Sequence, residues 1–127
     1  MIPDVEKVVG KYLRDNFDLR VVGKTPTDTE DAWVRLTKLG GQQTSEADHL
    51  VPFLVQLDCY AGAEGGQPEA VTLGLTVRDE LRQIAAYAHT GATVTGAIVV
   101  DDSRIPDGDF EPDRERVILT ANVYAHS

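Results

Sequence analysis

The chain has 127 residues, of which 42% are hydrophobic and 26% charged, and a formal net charge of -9. Length and composition suit one globular domain spanning 1–127. The acidic balance argues against gripping nucleic acid by its phosphates and against docking on anionic membranes, since both need clustered Lys and Arg. It leaves room for a wall past which DNA slides without binding. No apolar run approaches the roughly 20 residues of a membrane helix. The opening Met1-Ile2-Pro3-Asp4-Val5-Glu6 does not read as a secretion leader, and the lone Cys59 rules out an internal disulfide.

In chain order, residues 3–16 read as an amphipathic helix, with Val5, Val8, Val9, Tyr12 and Leu13 on one stripe. Pro3 suits its first turn, and Asn16 and Asp18 mark its exit. Short strands are predicted over 19–23 and 32–38, separated by a polar loop. Residues 40–49 form a second polar loop, followed by a strand over 50–60 in which Pro52 belongs near the start or at an edge. A Gly-rich connection leads to the longest predicted helix, 68–89, with Ala70, Gly74, Val77, Leu81, Ile84 and Ala88 in register and Thr90-Gly91 ending it. A strand over 93–100, an acidic excursion over 101–115 and a last strand over 116–125 complete the order α-β-β-β-α-β-β. This order predicts an α+β fold: a mostly antiparallel sheet of about five strands with two helices on one face.

Two of the strands are apolar on both faces. In the run 51–60, Val51, Phe53, Val55, Leu57 and Cys59 share one side, while Leu54 and Tyr60 sit on the other with Gln56 and Asp58. In 117–125, Val117, Leu119, Ala121 and Val123 share one side, while Ile118 and Tyr124 lie opposite with Thr120 and Asn122. A sheet wet on one face shows a cleaner alternation. The second face therefore points to protein partners, first of all copies of the same chain. The candidates are Trp33, Leu54, Tyr60, Ile118 and Tyr124, because aromatic side chains concentrate at interface centres.

No catalytic or cofactor motif stands out. Cys59, His49, His89 and His126 lack the spacing of a structural zinc site, and Cys59 reads as a small core residue. His89 reads as a dipole partner at a helix C-terminus. An EF-hand template placed with Gly108 at its turn puts Ser103, Ile105 and Arg114 where ligands belong, and fails. The acidic stretch from Asp101 to Asp113 then reads as a solvated loop. Gly62, Gly65 and Gly66 lack the spacing of a phosphate-cradling loop. Gly40-Gly41-Gln42 matches a release-factor tripeptide without the basic surface that ribosomal RNA requires. Glu6 and Glu80 read as solvated charges.

The whole pattern resembles the tail terminator, or tail completion, proteins of long-tailed bacteriophages. The resemblance is carried by the opening helix from Val5 to Leu13, the run from Phe53 to Ala61, the helix with Ala70, Leu73, Val77-Arg78, Leu81 and Ile84, and the closing run from Arg116 to His126. It implies a non-enzymatic virion protein at the head-proximal end of the tail, assembled in the host cytoplasm. It implies a hexameric ring that caps the tail tube, stops its polymerisation and presents a surface to the head–tail connector. DNA passes through the centre, and no metal or cofactor is involved. Contacts to tube and connector are expected from the two long loops, at Gly41, Gln43, Asp101, Arg104, Asp109 and Phe110. A head-closure or connector protein is the nearest alternative. A small enzyme or ligand-binding α+β domain using the acidic loop and Cys59, or a secretion-system component, lies further off.

Overall fold

The computed structural model describes residues 4–40, 52–89, 91–110 and 113–126. Helix α1 (Val5–Phe17) begins at Asp4, whose carboxylate accepts the Lys7 backbone N–H at 3.1 Å. It ends at Asp18, which takes a left-handed conformation with φ 52°. The expected stripe of Val5, Val8, Val9, Tyr12 and Leu13 is buried throughout.

Among the described residues six strands form one sheet: β1 (Val21–Val22), β2 (Trp33–Gly40), β3 (Phe53–Tyr60), β4 (Ala88–His89), β5 (Ala92–Arg104) and β6 (Arg116–His126). Their spatial order is β1-β2-β3-β6-β5-β4, and only the β1–β2 pair is parallel. Pro52 lies just before β3, where the central ladder does not need its missing N–H. Helix α1 meets β1 and β2 at one side and β4 and β5 at the other, while α2 (Gly66–Leu81) lies over β3, β5 and β6. The predicted α+β class, with both helices on one face of a mostly antiparallel sheet, is the fold observed. The sixth strand is the two-residue β4, too short to leave a period in the sequence.

Beneath the helices, Phe53, Val55, Leu57 and Cys59 of β3 meet Val117, Leu119, Ala121 and Val123 of β6, all buried. Cys59 is sealed in this layer, and burial pushes its thiol far above the ordinary range. Helix α2 seats on β6 through Gly74. A Cβ there would lie 2.8 Å from Val117 Cγ1, so only glycine allows this approach.

The second helix is shorter than its apolar spacing suggests. It ends at Leu81, and Ala86 takes a positive φ of 73°, which no helix continues through. Ile84 keeps the helical spacing because the turn after α2 folds it into the same core. His89 therefore pairs in β4 with Ala92 and is not at a helix terminus. The last strand before the acidic excursion is longer than expected, since 101–104 belong to β5.

Gly74→Ala is expected to lower stability by about 1–2 kcal/mol, because overpacking against Val117 outweighs alanine's better helix propensity. Denaturant unfolding checks this. Equal or higher stability would show that α2 is not seated so tightly.

Candidate functional site

The sheet face turned away from the helices has two unlike ends. Strand pairing sets Trp33, Tyr60 and Arg116 in one cross-strand row, and Arg35, Asp58, Ile118 and Ser103 in the next. Further along lie Thr37, Gln56, Thr120 and Asp101, then Leu54, Asn122 and Ile98. Tyr124 stands opposite Gly96.

The first end is closed by the protein itself. Trp33 and Tyr60 stack with ring centroids 4.4 Å apart and planes 9° apart. The connection between β5 and β6 folds over them, bringing Phe110 to 5.8 Å from Trp33 and 5.9 Å from Tyr60. The Arg114 guanidinium lies 4.8 Å from the Phe110 ring centre, while Arg35 and Arg116 lie 5.4 and 5.7 Å from that of Tyr60. The result is exposure of 1% for Trp33 and 0% for Tyr60.

Hydrogen bonds tie this tip down. The Tyr60 hydroxyl donates to Asp107 Oδ2 at 2.6 Å, and the Asp109 N–H donates to Asp107 Oδ1 at 3.0 Å. Asp107 and Arg114 exchange backbone bonds of 2.7 and 3.1 Å, and Arg114 Nη1 donates to the Thr29 carbonyl at 2.7 Å. Beside them Asp58, 1% exposed, accepts Arg35 Nε and Nη2 at 3.1 and 2.5 Å and Gln56 Nε2 at 2.8 Å. A charge so deeply withdrawn persists only when paired in this way. Trp33 Nε1 is buried and finds no acceptor among the described residues.

Two titrations record the tie. Burial alone would raise the Asp107 carboxyl, but the Tyr60 hydroxyl, the Asp109 N–H, Arg116 and Arg35 outweigh it and hold it below the ordinary range. Burial, and then the bond to Asp107, pushes the Tyr60 hydroxyl up to about 12.

The sequence-derived candidates divide accordingly. Trp33 and Tyr60, expected to meet a neighbouring subunit, are covered by their own chain, so that expectation is corrected at these two positions. Phe110, expected to reach a partner from a free loop, is half-buried on their rings. Asp101 and Arg104 are exposed on a strand, and Asp109 is exposed at the tip. The acidic excursion is thus a docked hairpin with a buried carboxylate at its centre. Gly41 and Gln43 lie outside the described residues. Leu54, Ile118 and Tyr124 stay half-buried, and Ile98, which the sequence reading passed over, is 58% exposed beside them.

Behind β5, on the helix side, a groove of about 170 Å³ runs between α2 and the strand, with Val71, Leu75 and Val117 in its wall. Arg78 Nη1 donates to Asp102 at 2.8 Å across its rim. No protein-family model matches the chain, and no curated protein matches it.

The pH dependence has two limbs. A carboxyl held below its ordinary 3.8 contributes fully above that value, and the contribution is lost as pH falls through the lower folded value. A hydroxyl raised from 10.0 contributes below that value and loses the contribution as pH rises toward about 12. Asp107→Ala, which strands the Tyr60 hydroxyl, is expected to cost about 1–3 kcal/mol at neutral pH and to flatten the acid limb. Tyr60→Phe is expected to flatten the alkaline limb. Unfolding free energies measured across pH test both, and an acid limb unchanged in Asp107→Ala would show that the carboxylate does not hold the tip.

Proposed function

We propose that this protein is a structural ring subunit that caps a phage tail tube, a tail terminator in the sense of the family it resembles. Six copies surround a central opening, end tube growth on one side and receive the head–tail connector on the other. The role is mechanical and involves no catalysis.

One observation carries the reading. Beyond the aromatic cap, no helix crosses the second sheet face among the described residues, yet that face keeps Leu54, Ile118 and Tyr124 half-buried and Ile98 58% exposed. A strip of this kind on an acidic surface suits contact with another folded protein. The burial of Cys59, which pushes its thiol up, supports a non-catalytic role for that residue, because a sealed thiol is not set up as a nucleophile. Exposed acids such as Asp101 and Asp109 would repel phosphate and leave DNA free to move through the bore.

Light scattering coupled to gel filtration tests this, alone and with a tail-tube subunit added. A closed oligomer of six is expected. Tyr124→Asp is expected to reduce it at least tenfold while the circular dichroism spectrum stays that of the parent. A chain that remains monomeric with and without tube subunit would overturn the ring, and an unaltered ring in Tyr124→Asp would move the contact off this face.

A further inference from the structure

The sheet has two open edges. β1 covers β2 only at Val34 and Arg35, and β4 covers β5 only at Ala92 and Thr93. The turn before β4 also takes up Val94, whose N–H donates to the Tyr87 carbonyl at 2.9 Å and whose carbonyl accepts the Ala86 N–H at 2.7 Å; among the described residues no strand pairs with the outer side of 36–40 or of 95–104. Such edges carry unpaired N–H and C=O groups and template strand addition. They also carry apolar side chains in the open: Leu39 is 50% exposed, Ile98 58% and Val100 53%.

We infer that these two edges pair with each other between copies, β5 of one protomer against β2 of the next, so that the sheet continues from subunit to subunit. The inference rests on the ring reading above and adds, beside the half-buried strip, the edges through which neighbouring sheets join. The occupant of each edge is a second copy of this chain, on three grounds.

The first is direction. β2 to β3, β3 to β6 and β6 to β5 are each antiparallel steps, so β5 runs opposite to β2 within the sheet. Copies related by rotation about an axis along the strands therefore bring β5 and the next β2 together antiparallel, the more stable ladder. Two different edges meeting in this way form the heterologous contact that closes a ring. Pairing of β5 with itself would close a dimer and leave the β2 edge open.

The second ground is register. When Lys38 stands opposite Asp102, residues 36–40 face 100–104. Val34 and Arg35, which carry β1, then lie past the last residue of β5. Ala92 and Thr93, which carry β4, lie past Gly40 at the end of β2. The two stubs thus stand clear at opposite ends of the shared ladder. Within it, 36–38 keep unbroken register with β3 and 101–104 with β6, while the shifts at Lys38/Gly40 and Val99/Asp101 meet at the far end of the ladder.

The third is side-chain complementarity. Lys38 and Asp102 pair in their own sheet with the buried Val55 and Leu119, so both stand on the helix-bearing face. Opposed across the junction, Lys38 adds a second cation to the Asp102 carboxylate that Arg78 holds within its own chain at 2.8 Å. Thr37 and Ser103 pair with Gln56 and Ile118, so both stand on the other face, where their hydroxyls meet.

Disulfide trapping tests the arrangement. Protein carrying Thr37→Cys is mixed with protein carrying Ser103→Cys under mild oxidation, the native Cys59 being buried. The expected product is the mixed dimer, at least tenfold over either homodimer. A chain carrying both substitutions is expected to give a covalent ladder ending at one closed size. Absence of the mixed dimer, or Ser103→Cys cross-linking equally to itself, overturns the edge contact. Hydrogen exchange on the unsubstituted protein keeps the test independent of the variants. Protection gained on assembly at 36–40 and 100–104 supports the contact, and protection gained only elsewhere overturns it. A discrete oligomer without these signals leaves the ring reading standing and removes the edges, whereas a monomer throughout removes both.

Discussion

The hydrogen bond from Tyr60 to Asp107 is the contact on which the outer side of this molecule depends. It joins a residue at the end of a central strand to the tip of a hairpin 47 positions along the chain. Once formed, it brings Phe110 and Arg114 over the stacked Trp33 and Tyr60 rings and removes both rings from water. A lone aromatic pair on an uncovered sheet face would be an aggregation liability. The tip turns that liability into a second, small core, with ionic groups around its margin: Arg35 with Asp58, and Arg116 near Asp107 at 3.8 Å.

The larger core on the helix side is of a different kind. It is apolar throughout, and it is pressed thin by the approach of α2 to β6 at Gly74. Between the two cores lies the sheet, whose outer face is sealed at one end and half-open at the other. This asymmetry gives the molecule a direction. The sealed end is finished within the monomer, while the strip with Leu54 and Tyr124 is half-buried and Ile98 beside it is exposed. Among the described residues, the short β1 and β4 pair with only two residues each of β2 and β5.

Much of this was legible in the residues. The stripe of α1, the split of β3 and β6 into two faces and the burial of Cys59 all follow from periodicity, since each is a local pattern of one element. The overrun of the second helix shows where that reasoning fails: Ile84 keeps the helical spacing although the chain has already turned, and only the backbone at Ala86 reveals the break. The closure of Trp33 and Tyr60 was not legible for a related reason. Their apolar character on the second face was read correctly. The group that covers them lies in an acidic stretch whose charges suggested solvent, and nothing local to Asp107 marks it as a buried acceptor. The one signal available was Phe110, an aromatic residue stranded among acids and a proline. An apolar side chain in such a loop has to be buried somewhere.

Quenching of Trp33 fluorescence by acrylamide is the most direct measurement of this arrangement, because the chain contains a single tryptophan. In dilute, unassembled protein the indole should be strongly shielded and should stay equally shielded on assembly, since its cover belongs to its own chain. An indole open to quencher in the monomer, and protected only when copies associate, would show that this end of the sheet is an interface and that the tip does not close it.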